Sequence, residues 1–170
     1  MRLILSDCSI SIGACTNDTC FIDLSTRKIA PCTGCFGCWV KTPGKCVIRD
    51  DAIQIYPLIA QSDTLLYVSK IEYGSYDVPM KTMLERAIPI QQAFIRMHHG
   101  ETHHLQRDVV PKHAVILAYG DDTPDGQSLF KKLVARNAYN MNFDRWKVRF
   151  CTRETLPQII AAEVASWNSF

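Results

Sequence analysis

The stretch DTLLYVS, residues 63 to 69, decides the fold of this chain. It is a short, continuous apolar run with a polar residue at each end, which is the pattern of a strand rather than of a helix. A strand that is apolar on successive residues is buried on both faces, as in a parallel sheet covered by helices. We therefore expect residues 63–69 to form a central strand of such a sheet.

Strand-like and helical patterns alternate on both sides of this stretch. The other strand-like segments are Arg2–Leu5, Cys20–Leu24, His113–Tyr119 and Trp146–Cys151, and helical patterns cover residues 51–61, 78–88, 126–140 and 154–170. Strands that alternate with helices predict an α/β fold with right-handed crossovers between parallel strands. Five strands fit a doubly wound five-stranded parallel sheet of order 2-1-3-4-5, which binds ligands at the carboxyl ends of its strands.

The composition is that of a single globular domain covering residues 1–170. The formal net charge of +2 gives no reason to expect a nucleic-acid or membrane partner. The first residues lack the apolar run of a signal peptide, and no window reaches the ~18 apolar residues of a spanning helix. We therefore expect a cytoplasmic protein, whose 8 cysteines are thiols or metal ligands rather than disulfides.

The segment PCTGCFGCWVKTPGKC, residues 31–46, contains four closely spaced cysteines: Cys32, Cys35, Cys38 and Cys46. A C-x2-C-x2-C run can place thiolates around one face of an iron–sulfur cluster, with the fourth Cys arriving from further along the chain. Three alternatives stay open: a zinc site, a redox-active thiol pair of Cys35 and Cys38, and a Cys-rich loop without metal. The spacing favours a [4Fe–4S] cluster slightly over each alternative.

The Cys-rich segment lies within a longer run, IAPCTGCFGCWVKTPGKCVIRDD at 29–51, and YGSYDVPMKTMLERAI follows at 73–88. Shorter related stretches are GETHHLQR at 100–107 and VARNAYN at 134–140. Together these motifs resemble the flavodoxin-like NAD(P)H-dependent FMN reductases, which include the iron–sulfur flavoproteins. The resemblance implies a flavodoxin-like sheet. No helical pattern precedes the second strand, so we expect the first helix to be shortened or missing.

The resemblance also implies that three loops hold FMN at the carboxyl ends of the strands. The residues of this chain at those loops are Ser6, Ser9, Ser11, Ser69, Lys70, Tyr73, Gly74, Ser75, Tyr76, Gly120 and Asp121. The first loop departs from the family's pattern, because it lacks the usual Arg and because Asp7 adds a negative charge near the expected phosphate. In the second loop, Lys70 and Glu72 replace the usual Pro and aromatic residue. Lys70 can favour a flavin anion or contact a phosphate, or it can pair with Glu72 at the surface.

Four histidines, His98, His99, His103 and His104, lie in the segment MHHGETHHLQR. With Glu101 they offer ligands for a transition metal. The family resemblance favours instead a loop after the third helix that folds over a neighbouring subunit or over the flavin edge.

These observations predict a flavodoxin-like oxidoreductase. It would move electrons from NAD(P)H or a reduced donor through FMN, with or without a [4Fe–4S] cluster, to an unidentified acceptor. The alternative is an FMN-less flavodoxin-like binding or interaction module, which the altered phosphate loop favours. The resemblance implies a homodimer or homotetramer. The sequence indicates no preference between NADH and NADPH, because it contains no G-x-G-x-x-G fingerprint.

Overall fold

The computed structural model describes residues 1–11, 18–120 and 123–167. Its strands are β1 (Arg2–Ser6), β2 (Thr19–Asp23), β3 (Thr64–Glu72), β4 (Ser75–Tyr76), β5 (Gln91–His98), β6 (Glu101–Gln106), β7 (Lys112–Tyr119) and β8 (Phe143–Cys151). Its helices are α1 (Gly37–Val40), α2 (Ala52–Gln61), α3 (Val78–Glu85), α4 (Pro124–Asn140) and α5 (Leu156–Ser166). Short 3₁₀ turns cover Leu24–Thr26 and Ile88–Ile90.

Five strands form the predicted parallel sheet, in the order β2-β1-β3-β7-β8. This is the order 2-1-3-4-5 of a doubly wound sheet, with β3 at its centre, so the predicted fold class is confirmed. The two-residue strand β4 pairs antiparallel with the end of β3. Strands β5 and β6 form a separate two-stranded sheet.

Helices cover both faces of the parallel sheet. Side chains from α2, α3 and α4, including Ile59, Met83 and Phe130, pack in one core against one face of β1, β3 and β7. On the other face, Leu156 and Ile160 of α5 pack against the alternate residues of the same strands. Successive residues of β3 are therefore buried on opposite sides, which explains the continuous apolar run of its sequence.

The connection from β1 to β2 is the shortest crossover of the sheet, because Ser6 ends one strand and Thr19 begins the next. A crossover between parallel strands needs about a dozen residues or more, and this one is at that limit. The expectation of a shortened or missing first helix falls on this connection. Residues 12–17 of this connection lie outside the described residues.

The His-rich segment is a β-hairpin, which corrects the expectation of a loop after the third helix. His98 of β5 pairs with Glu101 of β6, so only His99 and Gly100 form the turn. Both have positive φ, 51° and 76°, as a type I′ turn requires. The hairpin has no clear signal in the sequence, because its polar and charged side chains hide the alternation that marks a half-buried strand.

Within the described residues, no helix combines the length and apolar character that crossing a membrane requires.

Candidate functional site

The carboxyl ends of β1, β3 and β7 meet at one edge of the sheet. Ser6 at the end of β1 lies beside Val68 of β3, and Lys70 of β3 lies beside Tyr119 at the end of β7. The loops that leave these strands therefore share one rim, which is where a doubly wound sheet binds its ligand. Predicted site residues from all three loops are brought together here.

Asp7, directly after β1, is buried and ties the three strands together. Its side chain is 6% exposed. One carboxylate oxygen accepts a hydrogen bond from the backbone N–H of Lys70 at 2.5 Å, and the other accepts one from the Tyr119 hydroxyl at 3.0 Å. The Asp7 carboxylate is therefore used within the protein and is not exposed at the surface of the first loop.

A second carboxylate, Asp77, lies close to Asp7. Asp77 is the N-cap of α3, where it accepts hydrogen bonds from the Met80 N–H and the Ser69 hydroxyl. Burial and the negative charge of Asp7 raise the pKa of Asp77 from 3.8 to about 7. The rim therefore carries a carboxyl group that holds a proton up to about neutral pH.

The turn between β3 and β4 presents Tyr73 at the rim. Tyr73 and Gly74 form a two-residue turn, with positive φ values of 52° and 70°. The Tyr73 side chain is 99% exposed. A Cβ atom on Gly74 would lie 2.4 Å from Leu129 Cδ2, so this position requires glycine both for its φ and for its close contact with α4. The contact with α4 thus fixes the turn, while the Tyr73 ring is exposed to solvent.

Other predicted residues of this loop have different surroundings. Tyr76 is buried, and its ring meets Phe130 of α4 edge-on at 4.9 Å between centroids. Ser69 is fully buried and donates to the Lys70 carbonyl and to Asp77. Ser75 is half-buried beside the turn. Tyr76 and Ser69 therefore support the loop from within the core.

Lys70 pairs with Glu72 at 2.8 Å, as one of the two interpretations of this residue predicts. The hydrogen bond to Glu72 raises the pKa of Lys70 above its ordinary value, so the ammonium group stays charged. Its side chain lies against Gly120, where a Cβ atom would come within 2.8 Å of Lys70 Cγ. The pair thus places a fixed cation between the second and third loops.

The serines of the first loop differ in burial and in their hydrogen-bond partners. Ser6 is buried and donates to the Cys8 carbonyl at 2.7 Å. Ser9 donates to Asp23, at the end of β2, at 2.5 Å. Ser11 is exposed. The remainder of this loop, and Asp121 of the third loop, lie outside the described residues.

The Cys-rich loop is closed at its base by Arg86, whose side chain is 0% exposed. Its guanidinium donates to both oxygens of Asp50, at 2.6 and 2.9 Å, and to the carbonyls of Ala30 and Ile48. Asp50 also accepts from the Ala30 N–H at 2.8 Å. One bidentate ion pair therefore joins the residues before and after the four cysteines.

The two aspartates after the loop bind the chain that enters it. Asp51 occupies the N-cap position of α2 but makes no side-chain capping bond, and it accepts instead from the Lys28 N–H at 2.8 Å. The charge on Asp50 is maintained: burial alone would raise its pKa, but hydrogen bonds from Arg86 and the Ala30 N–H lower it below the ordinary value. The Asp50 and Asp51 carboxylates therefore act mainly by binding the backbone that leads into the Cys-rich loop.

The four cysteines are free thiols in one loop. Cys32 and Cys35 are exposed, and Cys38 and Cys46 are half-buried. Burial raises the pKa of the Cys38 thiol, and the nearby thiols of Cys46, Cys32 and Cys35 raise it further. The pKa of Cys35 is lowered by hydrogen bonds from the Gly37 N–H and Thr33. The loop thus groups the thiols, but within the described residues no three His, Cys, Asp or Glu side chains are close enough to hold a single metal ion.

The histidines of the β5–β6 hairpin divide between its two faces. His98, His99 and His103 surround the ring of Tyr139, while His104 lies against Trp39 of the Cys-rich loop at 4.6 Å between ring centroids. Glu101 is already bound by Arg136 and His103. The hairpin therefore supports the Cys-rich loop, and its four imidazoles do not converge.

Sequence reasoning did not identify Arg86 or Asp77 as residues of the site. The partner of Arg86 is Asp50, 36 residues away in the chain. The partner of Asp77 is Asp7, in the loop after β1. A charged residue late in an amphipathic helical pattern gives no local sign that it is buried. Its burial becomes visible only when the fold brings its partner beside it.

Three curated proteins match part of this chain, among them the following two. An iron–sulfur flavoprotein of Archaeoglobus fulgidus is 37% identical over 68 residues, which are 40% of this chain and 30% of that protein. An iron–sulfur flavoprotein of Methanocaldococcus jannaschii is 31% identical over 77 residues, which are 45% of this chain and 39% of that protein. The matches thus span well under half of the length of these relatives. No family model matches the chain.

A solved structure confirms the fold over nearly the whole chain. An FMN-dependent NADH-azoreductase from Bacillus anthracis, determined in complex with FMN, superposes with a TM-score of 0.57 at 14% identity, covering 99% of this chain and 97% of that one. Together with the two partial matches, this bears out the resemblance to flavodoxin-like FMN reductases and iron–sulfur flavoproteins.

The Arg86–Asp50 pair makes a testable contribution to stability. Replacing Arg86 with Met leaves a carboxylate without its partner in the interior, and removing one member of a buried pair costs about 3–5 kcal/mol. We therefore expect Arg86→Met to lower the free energy of unfolding in urea by about 3 kcal/mol. Lys81→Met, which breaks the exposed Lys81–Glu85 pair, should change it by less than about 0.5 kcal/mol. Equal effects of the two substitutions would contradict this role.

The raised pKa of Asp77 predicts a pH-dependent stability difference. Because the folded state holds the proton more tightly than the unfolded state, Asp77 removes stability as pH rises from about 4 towards 7. Asp77→Asn keeps an N-cap acceptor but does not ionise. The difference in unfolding free energy, Asp77→Asn minus wild type, should therefore increase from pH 4 to 7 and then level off. Asp125→Asn, at an exposed acidic residue of α4, controls for the lost charge; a flat Asp77→Asn difference would refute the assignment.

Proposed function

We propose that this chain is a flavodoxin-like oxidoreductase that binds FMN at the rim formed by β1, β3 and β7. NAD(P)H or another reduced donor would supply the electrons, and the acceptor is not identified. The observation that carries the proposal is the rigid Tyr73–Gly74 turn, which holds a fully exposed aromatic ring at the switch point of the sheet. We also propose that residues 1–170 form one domain, since α1 and the hairpin pack beside the main sheet.

The residues of the rim fit the ring system of FMN. Tyr73 offers an aromatic face, and Gly74 and Gly120 remove side chains that would otherwise crowd the backbone. Lys70 stands between these loops with its charge fixed by Glu72. Because Glu72 offsets its charge, Lys70 offers a bound ring the remaining N–H donors of its ammonium group. The second and third loops therefore have the shape and the electrostatics to hold an electron-accepting aromatic cofactor.

The fit to the phosphate is better than the sequence indicates. The sequence predicts a negative charge from Asp7 near the phosphate, but one Asp7 oxygen accepts a hydrogen bond from the Lys70 N–H and the other from the Tyr119 hydroxyl. Arg153 also reaches this region, donating to the Tyr119 hydroxyl at 2.7 Å. The repulsion expected of Asp7 is therefore reduced. Ser9 and Ser11 stay candidates for phosphate contacts.

FMN, when bound, supplies the chemistry of accepting and releasing electrons. The protein's own residues then have three tasks. Tyr73 and the turn orient the ring, Lys70 offers N–H donors, and Asp77 holds a proton close to the rim at about neutral pH. A carboxyl group with this pKa is suited to exchanging a proton when the charge of a neighbouring group changes.

We further propose that Cys32, Cys35, Cys38 and Cys46 hold a [4Fe–4S] cluster. Thiolate ligands at this spacing suit such a cluster, which would supply single-electron transfer. Because Cys32 and Cys35 are exposed, their side chains can rotate towards the other two without opening the core.

The same proposal includes a homodimer or homotetramer in the cytoplasm. The β5–β6 hairpin exposes Phe94, Ile95 and Met97 by 69%, 63% and 70%, and adjacent exposed apolar side chains are typical of a contact surface. The seven described cysteines are free thiols, as a reducing compartment favours. Light scattering of the purified protein would test the oligomeric state.

Titration with FMN tests the leading function. We expect purified protein to bind one FMN per chain, with a changed flavin absorption spectrum and quenched fluorescence. Tyr73→Ala removes the exposed ring and should weaken FMN binding about tenfold, because stacking on an aromatic ring contributes of the order of 1 kcal/mol. Trp146→Ala, a change to an aromatic residue near the amino-terminal end of the sheet, should leave the affinity unchanged.

Two results would separate the alternatives. A colourless protein that fails to bind added FMN, even in excess, would reject the oxidoreductase. It would favour the FMN-less binding module, for which the short β1–β2 connection is the structural argument. FMN binding without reduction by NADH or NADPH would instead point to another reduced donor.

Anaerobic metal analysis tests the cluster. After reconstitution with iron and sulfide we expect about four irons per chain and a broad brown absorption band. Cys32→Ser should lower the iron content and change the band, while Cys151→Ser, at a thiol on β8, should leave both unaffected. Retention of zinc in place of iron, or no metal at all, would contradict the cluster.

A further inference from the structure

A cavity of about 340 Å³ lies between α3, α4 and the β5–β6 hairpin. Its walls are mainly apolar and aromatic, and they include Leu84 and Ile88 on one side and Leu133, Met141 and Phe143 on the other. Ligand-binding cavities in proteins start at about 300 Å³. The cavity is therefore large enough for a small organic molecule. It lies on the α3–α4 side of the sheet, behind the loop that carries Tyr73.

The hydroxyl group of Tyr67 lies at this cavity without a hydrogen-bond partner. Tyr67 sits at the middle of β3 and is 1% exposed, and its oxygen is buried and unpaired. A buried hydroxyl that makes no hydrogen bond carries a free-energy cost, which a bound ligand can remove. Deep burial raises the pKa of this phenol, so it stays neutral. A cavity wall that includes a residue with a buried, unsatisfied hydroxyl group is an arrangement expected of a ligand site.

A second unpaired atom, Nδ1 of His104, belongs to another wall of the same cavity. The described charged residues of the wall, Lys81 and Glu85, lie on α3 and pair with each other at 3.7 Å. Their charges offset one another, so the site does not favour an anion or a cation. The ring centroids of Phe143 and Tyr67 are 6.3 Å apart, and the two rings are tilted relative to each other. They give the cavity two adjoining aromatic surfaces.

We propose that this cavity binds a small neutral aromatic alcohol, of the size of a phenol or naphthol. The flat ring would lie among Leu84, Leu133 and Phe143, where burial of apolar area favours it. Its hydroxyl would form the hydrogen bond that Tyr67 lacks, since an alcohol can both donate and accept. Ser75 and Tyr76 belong both to the wall of this cavity and to the second loop of the proposed FMN site. The proposed ligand contacts are with other residues, so the proposal does not depend on the proposed function.

The probe for this site is 2-naphthol, measured by isothermal titration calorimetry against the full chain. We expect saturable binding of one molecule per chain. Tyr67→Phe keeps the ring but removes the hydroxyl and should weaken binding about three- to tenfold, as expected for one hydrogen bond. Because the deleted hydroxyl has no partner in the protein, Tyr67→Phe should not lower the thermal stability. Tyr139→Phe, the matched change at a tyrosine outside the cavity, should leave binding unchanged.

Two further measurements decide whether the cavity and the hydroxyl are responsible. Leu133→Trp fills the cavity and should abolish binding while the protein stays folded by circular dichroism. The isostere 2-methylnaphthalene, which has no hydroxyl, should bind wild type and Tyr67→Phe equally. The proposal is overturned if 2-naphthol does not bind, or if Tyr67→Phe binds it as tightly as wild type. Binding that survives in a folded Leu133→Trp protein would place the ligand elsewhere and overturn it as well.

Discussion

The buried ion pair between Arg86 and Asp50 is the constraint on which the Cys-rich loop depends. A loop of this length would lose much conformational entropy if it were held only by contacts at its tip. Arg86 instead binds both ends of the loop, through the Ala30 and Ile48 carbonyls and the Asp50 carboxylate. Arg86 itself follows α3, whose buried methionines belong to the sheet core. The position of the four thiols is therefore fixed by the same packing that forms the sheet.

The hairpin extends this support to the other side of the loop. Trp39, one residue after Cys38, donates from its indole N–H to the Gln91 carbonyl at 3.0 Å and lies against His104. Gln91 in turn donates to the Asn140 carbonyl at the end of α4. The Cys-rich loop, the hairpin and α4 are thus joined by hydrogen bonds. His104 also forms part of the cavity wall, so a ligand in that cavity would touch the structure that supports the loop.

The sequence predicted the sheet more completely than the site. Buried strands such as β3 and β7 have continuous apolar runs, and this local signal is enough to predict their order by the rules of α/β topology. The ion pair between Arg86 and Asp50 and the proximity of Asp7 to Asp77 arise only when distant segments meet. Asp7 illustrates the difference: by sequence it is a charge in a phosphate loop, and in the structure it joins three strands. Local pattern cannot distinguish the two, because burial is a property of the assembled fold.

The short β1–β2 connection changes how the rim can bind a cofactor. A phosphate is usually held by N–H groups at the start of a helix, where the dipole adds to the attraction. In the proposed FMN site, residues 7–18 are the whole β1–β2 connection, and we infer that contacts to the ring supply more of the binding free energy. The firmly held Tyr73–Gly74 turn suits that role. Gly74 packs against Leu129, β4 pairs with β3, and Ser69 and Asp77 fix the base of the loop. A rigid turn loses little entropy when it binds, which offsets weaker contacts to a phosphate.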